Sequence, residues 1–150
     1  MTAAAKADLI AEAVKDSINA GPLEDYDPAE RKHALEIALE DVQRIQEAGG
    51  EFPIVTVFPR AERKARGSRT TWTREYDIAI CVQSRCVFGD KERQDELTYL
   101  VEQITDHLGT AGTMASCPLV RSEIVLFDLK QLHELQHFFA VPVFTYRIER

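Results

Sequence analysis

The chain has 150 residues, the size of one domain, with 45% hydrophobic and 29% charged side chains and a formal net charge of −7. That make-up belongs to an ordinary globular protein and excludes a disordered chain, a collagen-like chain and a coiled-coil rod. No apolar run approaches the roughly 20 residues that cross a bilayer, and Asp8, Glu12 and Asp16 interrupt the stretch a signal peptide would need uncharged, so neither a membrane partner nor secretion by that route is expected.

In chain order, Leu9, Ile10, Ala13, Val14 and Ile18 recur at helical spacing and predict a first helix over residues 4–19, stopped by Gly21 and Pro22. Residues 23–50 carry two patterns. Leu35, Ile37 and Leu39 alternate as in a strand, while Leu35, Leu39, Val42 and Ile45 keep helical intervals. The reading adopted is an extended start over 29–37 and a short helix over 39–47, ended by Gly49 and Gly50. Residues 52–60, rich in β-branched side chains with prolines at the edges, read as a strand. A basic loop follows. Residues 71–84 form the clearest strand: Trp72, Tyr76, Ile78, Ile80 and Val82 share one face, and Thr73, Glu75, Asp77 and Gln83 the other. The two strands make an antiparallel hairpin.

Asp90 is placed to cap a helix running to His107, with Leu97, Leu100, Val101, Ile104 and Leu108 as its buried stripe and residues 109–112 closing it. Residues 119–127 predict a third strand, 128–136 one or two helical turns, and 141–148 the last strand. Together these predict an α+β domain over residues 1–150: a mostly antiparallel sheet of four or five strands with two main helices packed on one face. No glycine-rich phosphate loop follows any strand, so no nucleotide cofactor is expected.

Charge is unevenly placed. Residues 60–74 hold Arg60, Arg63, Lys64, Arg66, Arg69 and Arg74 against Glu62 alone, a local +5 that leaves −12 on the rest of the chain. Overall acidity argues against a general nucleic-acid coat; the basic segment is read first as the candidate interface with an acidic neighbour, next as a solvated hairpin loop, and last as a contact with DNA. Carboxylate pairs such as Asp95 and Glu96 fall on the polar face of a helix, where solvated charge is normal.

His133-Glu134-Leu135-Gln136-His137 matches HExxH, a pattern that on a helix sets two histidines on one face for Zn²⁺ with the glutamate as base. No third ligand is placed by spacing: Phe138, Phe139 and Ala140 follow, and only 13 residues remain after His137. The histidines are therefore read as surface or interface residues of a connecting helix, with no metal and no catalytic residue expected. The cysteines, Cys81, Cys86 and Cys117, are too few and odd in number for a disulfide framework, which fits folding in a reducing compartment. Cys81 and Cys86 fall on opposite faces of an ideal strand, a poor chelate. Trp72 and Tyr76, with Phe52 and Phe58 nearby, are assigned to core packing of a sheet face rather than to base stacking.

The run Pro53-Ile54-Val55-Thr56-Val57-Phe58-Pro59-Arg60, the arginine-rich segment after it and Tyr76-Asp77-Ile78-Ala79-Ile80-Cys81-Val82-Gln83 resemble the central hairpin of tailed-bacteriophage neck and tail proteins. The helix stripe within residues 95–108, the ending Phe144-Thr145-Tyr146-Arg147, and Ala29-Glu30-Arg31 with Leu39-Glu40-Asp41 resemble further elements of the same group, the tail terminator and tail-completion proteins of long-tailed phages. The resemblance implies a structural virion protein without catalysis or cofactor. It would form a ring, hexameric in that group, at the head-proximal end of the tail. There it would cap the tail tube and join it to the head connector, with itself, the tube protein and the connector or head-closure protein as partners. DNA would pass through the lumen without specific binding, and the protein would reside in the virion neck after assembly in the host cytoplasm. The alternative is a head-closure or other neck or minor capsid adaptor; a HExxH zinc hydrolase ranks behind both.

Overall fold

The computed structural model describes residues 5–26, 28–31, 53–66, 71–85, 90–125 and 137–149. Helix α1 (Lys6–Ala20) buries Ile10, Ala11, Val14 and Ile18 and leaves Leu9 45% exposed at the edge of the stripe. It stops where predicted: the Gly21 and Leu23 N–H groups both donate to the Ile18 carbonyl, at 3.3 and 3.0 Å. Asn19 then folds the chain back, its Oδ1 accepting from the Ala29 N–H at 2.7 Å. This delivers the chain into strand β1 (Glu30–Arg31), which Arg31 ties to α1 through Glu12 at 2.9 Å and Asp8 at 3.1 Å.

β1 lies parallel to β2 (Ile54–Arg66), Glu30 opposite Thr56. The other pairings, among β2, β3 (Trp72–Arg85), β4 (Thr113–Met114), β5 (Cys117–Val125) and β6 (His137–Glu149), are antiparallel, in the order β1-β2-β3-β6-β5-β4. The α+β class holds. The strand count among the described residues is six, not four or five, and the sheet is mixed. β1 lies within the extended start expected over 29–37; the strand not expected is β4, whose two residues are too short to carry a period-two pattern.

Helix α2 (Lys91–Ala111) starts at Asp90, whose carboxylate accepts from the Arg93 N–H at 3.1 Å, and ends at Gly112 with φ 70°. The predicted stripe, Leu97, Leu100, Val101, Ile104 and Leu108, is fully buried. α1 rests on β1, β2 and β3, and α2 on β6 and α1. Between this helix layer and the sheet lies the core, including Val55, Val57, Ile78, Ile80, Phe138, Phe144 and Tyr146.

The helices meet closely at Gly21. A methyl group there would stand 2.8 Å from His107 Cε1, and His107 Nε2 is 2.9 Å from Ser17 Oγ on the other side. Gly21→Ala is expected to cost about 1–2 kcal/mol by overpacking this joint, measured as a lower urea midpoint; an unchanged midpoint would mean that the His107 ring moves aside freely.

Three expectations change. The strand expected over 52–60 runs on to Arg66, so most of the basic segment is strand rather than loop. The last strand begins at His137, not at 141, so the final histidine of HExxH is a strand residue paired with Arg85. Trp72 shares the face of Tyr76 but is 46% exposed, whereas Tyr76 is 3% exposed: the helix layer ends between them. The helix over 39–47 and the turns over 128–136 lie outside the described residues.

Candidate functional site

A register shift between Pro59 and Ala61 makes Arg60 the extra residue of a β-bulge. Before it Phe58 faces Ala79, and after it Ala61 faces Asp77. The bulge thereby decides which cations share which face. Arg63 stands opposite Glu75, Lys64 opposite Arg74, and Arg66 opposite Trp72. The candidate interface residues thus divide between two faces of a β2–β3 ribbon. Arg60 is exposed and makes no hydrogen bond or ion pair among the described residues, Arg66 closes β2, and Arg69 lies outside the described residues.

On the face turned from the helices, side chains from four strands form one ionic network. Asp77 accepts from Arg63 Nη1 at 2.6 Å, from Arg63 Nη2 at 2.7 Å and from Thr145 Oγ1 at 2.7 Å. Glu75 accepts from Arg147 Nη2 at 2.6 Å, from Arg63 Nη2 at 3.3 Å and from Arg121. The Arg63 guanidinium, helped by Thr145, holds the Asp77 carboxyl below its ordinary value against the opposing effect of burial. Arg147, then Arg63, does the same for Glu75. Arg63 is therefore neutralised within its own chain. Sequence reading placed Glu75 and Asp77 on one face but missed Arg121, Thr145 and Arg147, because the register brings them in from β5 and β6.

The other ribbon face continues the core side past the helices. Lys64 Nζ lies 4.7 Å from the Trp72 ring centroid. Arg74 has only a long contact to Glu62, at 3.9 Å. Lys64 and Arg74 are directly opposed cations, a mildly repulsive pairing for an isolated chain. Arg74 also stands opposite Ile148 on β6. Ile148 helps line an open cavity of about 460 Å³ with Ser116, Pro118, Val120 and Arg147. Its rim is the β4–β5 turn, where Ala115 and Ser116 adopt φ 49° and 67°, and Lys6 of α1 donates to the Ala115 carbonyl at 2.7 Å. Pro118, Val120 and Arg147 set this cavity on the face of the ionic network, opposite to the face that Lys64 and Arg74 share.

α2 presents the opposite charge. Glu92, Asp95, Glu96, Glu102 and Asp106 are exposed at helical spacing, with Tyr99 60% exposed among them. Only Glu96 has an ion pair among the described residues, with Arg93 at 3.3 Å. Glu102 and Asp106, four apart, repel by about 0.2–0.5 kcal/mol in an isolated helix. Sequence reading took the acids of this helix as solvated charge and, within a ring, as a complement to the basic segment of a neighbour; it did not single out Tyr99.

Cys81 and Cys117 are buried thiols. Cys86, His133 and Glu134 lie outside the described residues. Among the described residues no three His, Cys, Asp or Glu side chains gather as metal ligands would, and no helix is long and apolar enough to cross a membrane.

No family model matches the chain, and no curated protein matches it. Among solved structures, a chain of "Virion of native gene transfer agent (GTA) particle" is similar at 14% identity and a TM-score of 0.41, over 92% of this chain and 98% of that one. A likeness at that level transfers neither fold nor role to this chain.

Proposed function

We propose that this chain is a structural, non-enzymatic virion protein, a tail terminator that forms a ring of about six copies. The ring caps the tail tube, joins it to the head connector and lets DNA pass without specific binding. The residue patterns that resemble tail terminators support this reading. The observation that carries it is the β2–β3 ribbon, which runs past the helix layer and sets cations on an otherwise acidic chain. Rings are built from two different patches that meet head to tail, and a basic arm against an acidic face satisfies that need.

The test is genetic. Deleting the chain from the genome that encodes it is expected to give heads without tails and tails of uncontrolled length in electron micrographs. Normally joined particles of normal tail length would overturn the reading.

A further inference from the structure

We infer that copies of this chain join edge to edge through their backbones: residues 121–125 of β5 in one copy add as a strand beside residues 61–65 of β2 in the next. The choice of a second copy as occupant rests on the ring reading above; the two open edges and their match rest on the geometry.

The sheet ends in two very short strands, so neither long edge is closed. β1 pairs with β2 only at Thr56 and Val57, and β4 pairs with β5 only at Cys117 and Pro118. Among the described residues no strand lies beside the rest of either edge. Successive residues of a strand point to opposite faces. Arg60, Ala61, Glu62, Arg63 and Lys64 are all exposed, as are Val120, Arg121, Ser122 and Glu123. Both edges are therefore uncovered on both faces, and an unpaired strand edge is a template for another strand. The cations of β2 disfavour pairing with a second β2. The open part of β5 carries one charge of each sign, Arg121 and Glu123.

Direction, parity and charge then select one pairing. Three antiparallel pairings separate β2 from β5, so the two strands run in opposite directions. A rotation about an axis along the strands keeps those directions, and β5 meets the next β2 antiparallel. Ser122 pairs with Phe144 and Glu62 with Tyr76, so both lie on the helix side, and a continuous face sets Ser122 opposite an even-numbered residue of β2. Opposite Glu62, it would set Arg121 against Arg63; opposite Arg66, it would carry Arg121 past the end of β2. Opposite Lys64, it sets Glu123 against Arg63 and Arg121 against Ala65. Glu123 has no ion pair within its own chain among the described residues. Within one copy Ala61, Asp77, Thr145 and Arg121 form a row across the sheet, so the step from Ala61 to Ala65 is four residues over four long strands. One residue per strand tilts the strands by about 35°, as in closed barrels. β1 and β4 fall beyond the two ends of the paired stretch and do not obstruct it.

The experiment uses the full chain with Cys86→Ser, which leaves the buried Cys81 and Cys117. Lys64→Cys and Ser122→Cys are made separately, one of them isotope-labelled, and matched to the parent by circular dichroism. They are mixed at roughly millimolar concentration with oxidised glutathione. Directly opposed residues of paired strands have the Cα spacing a disulfide needs. A link between positions 64 and 122 is expected to form about tenfold faster than a link of either variant to itself. It should equally outpace a link from Lys64→Cys to Arg121→Cys, which falls on the other face. Within one copy positions 64 and 122 are three strand spacings apart, about 14 Å. The chain carrying both changes is therefore expected to give a ladder of linked copies. Absence of the 64–122 link, an equally fast link of Ser122→Cys to itself, or a ladder that stops at two copies would overturn the inference. The deletion phenotype depends on none of these links, so failure of this contact and failure of the virion role are read separately.

Discussion

Replacing Phe144 with alanine is expected to remove about 4 kcal/mol of folding stability. Phe144 is fully buried, stands opposite Ile78 on β3 and Ser122 on β5, and belongs to the core beneath the helix layer. β6 is hydrogen-bonded to strands on both sides, so the backbone cannot collapse into the space the ring leaves. A domain of this size has about 5–15 kcal/mol in all, and the thermal midpoint should fall by roughly 8–16 °C. Urea unfolding followed by circular dichroism measures the loss. Val120→Ala, at a residue 38% exposed, serves as the comparison and should change stability by less than about 0.5 kcal/mol. A loss at Phe144 as small as that would contradict its place in the core.

Asp77→Ala is expected to cost about 2 kcal/mol near neutral pH. The change removes the acceptor of two Arg63 bonds and of the Thr145 hydroxyl, and Thr145 is only 4% exposed. The figure stays below that for a fully buried ion pair because the Arg63 side chain is 46% exposed and water can take up part of its charge. The effect must depend on pH, and its sign follows from the directions of the shifts. Asp77 and Glu75 both titrate lower in the folded chain than in the unfolded one, because of Arg63 for the first and Arg147 for the second. Their contribution is fully present above the ordinary carboxylate value, about 4, and drains away as pH falls through the lower folded values. The gap between wild type and Asp77→Ala should therefore be widest at pH 7 and narrow toward pH 3. A gap that is constant over that range would mean the carboxylate charge contributes nothing.

Elements with a strong period were legible from residues alone. The α2 stripe, its Asp90 cap and its Gly112 end need only local spacing and local hydrogen bonds. The same holds for α1 and for the alternation along β3. The basic segment was misread as loop because charge density imitates a solvated connection. Its strand character comes from pairing with β3, over Ala61 to Arg66 against Asp77 to Trp72. Trp72 was assigned to the right face and the wrong environment, since face follows from parity but burial follows from where the helices end. His137 looked helical next to its partner histidine, yet pairing with Arg85 draws it into β6.

The charged surface was half visible. The excess of cations in residues 60–74 is a property of composition. Their division into an internally neutralised Arg63 and an outward Lys64 and Arg74 is not, because one bulge residue, Arg60, sets which side chain turns to which face. Sequence by itself determined what periodicity and composition can encode: the helices, the main hairpin, the α+β class and the separation of a basic segment from an acidic remainder. Only the tertiary structure decided which charges cancel and which stay available. Strand register brings together Arg63, Glu75, Arg121 and Arg147 from four strands, and the reach of the helix layer leaves Trp72, Lys64 and Arg74 uncovered. Both are consequences of long-range packing, which no local pattern of residues specifies.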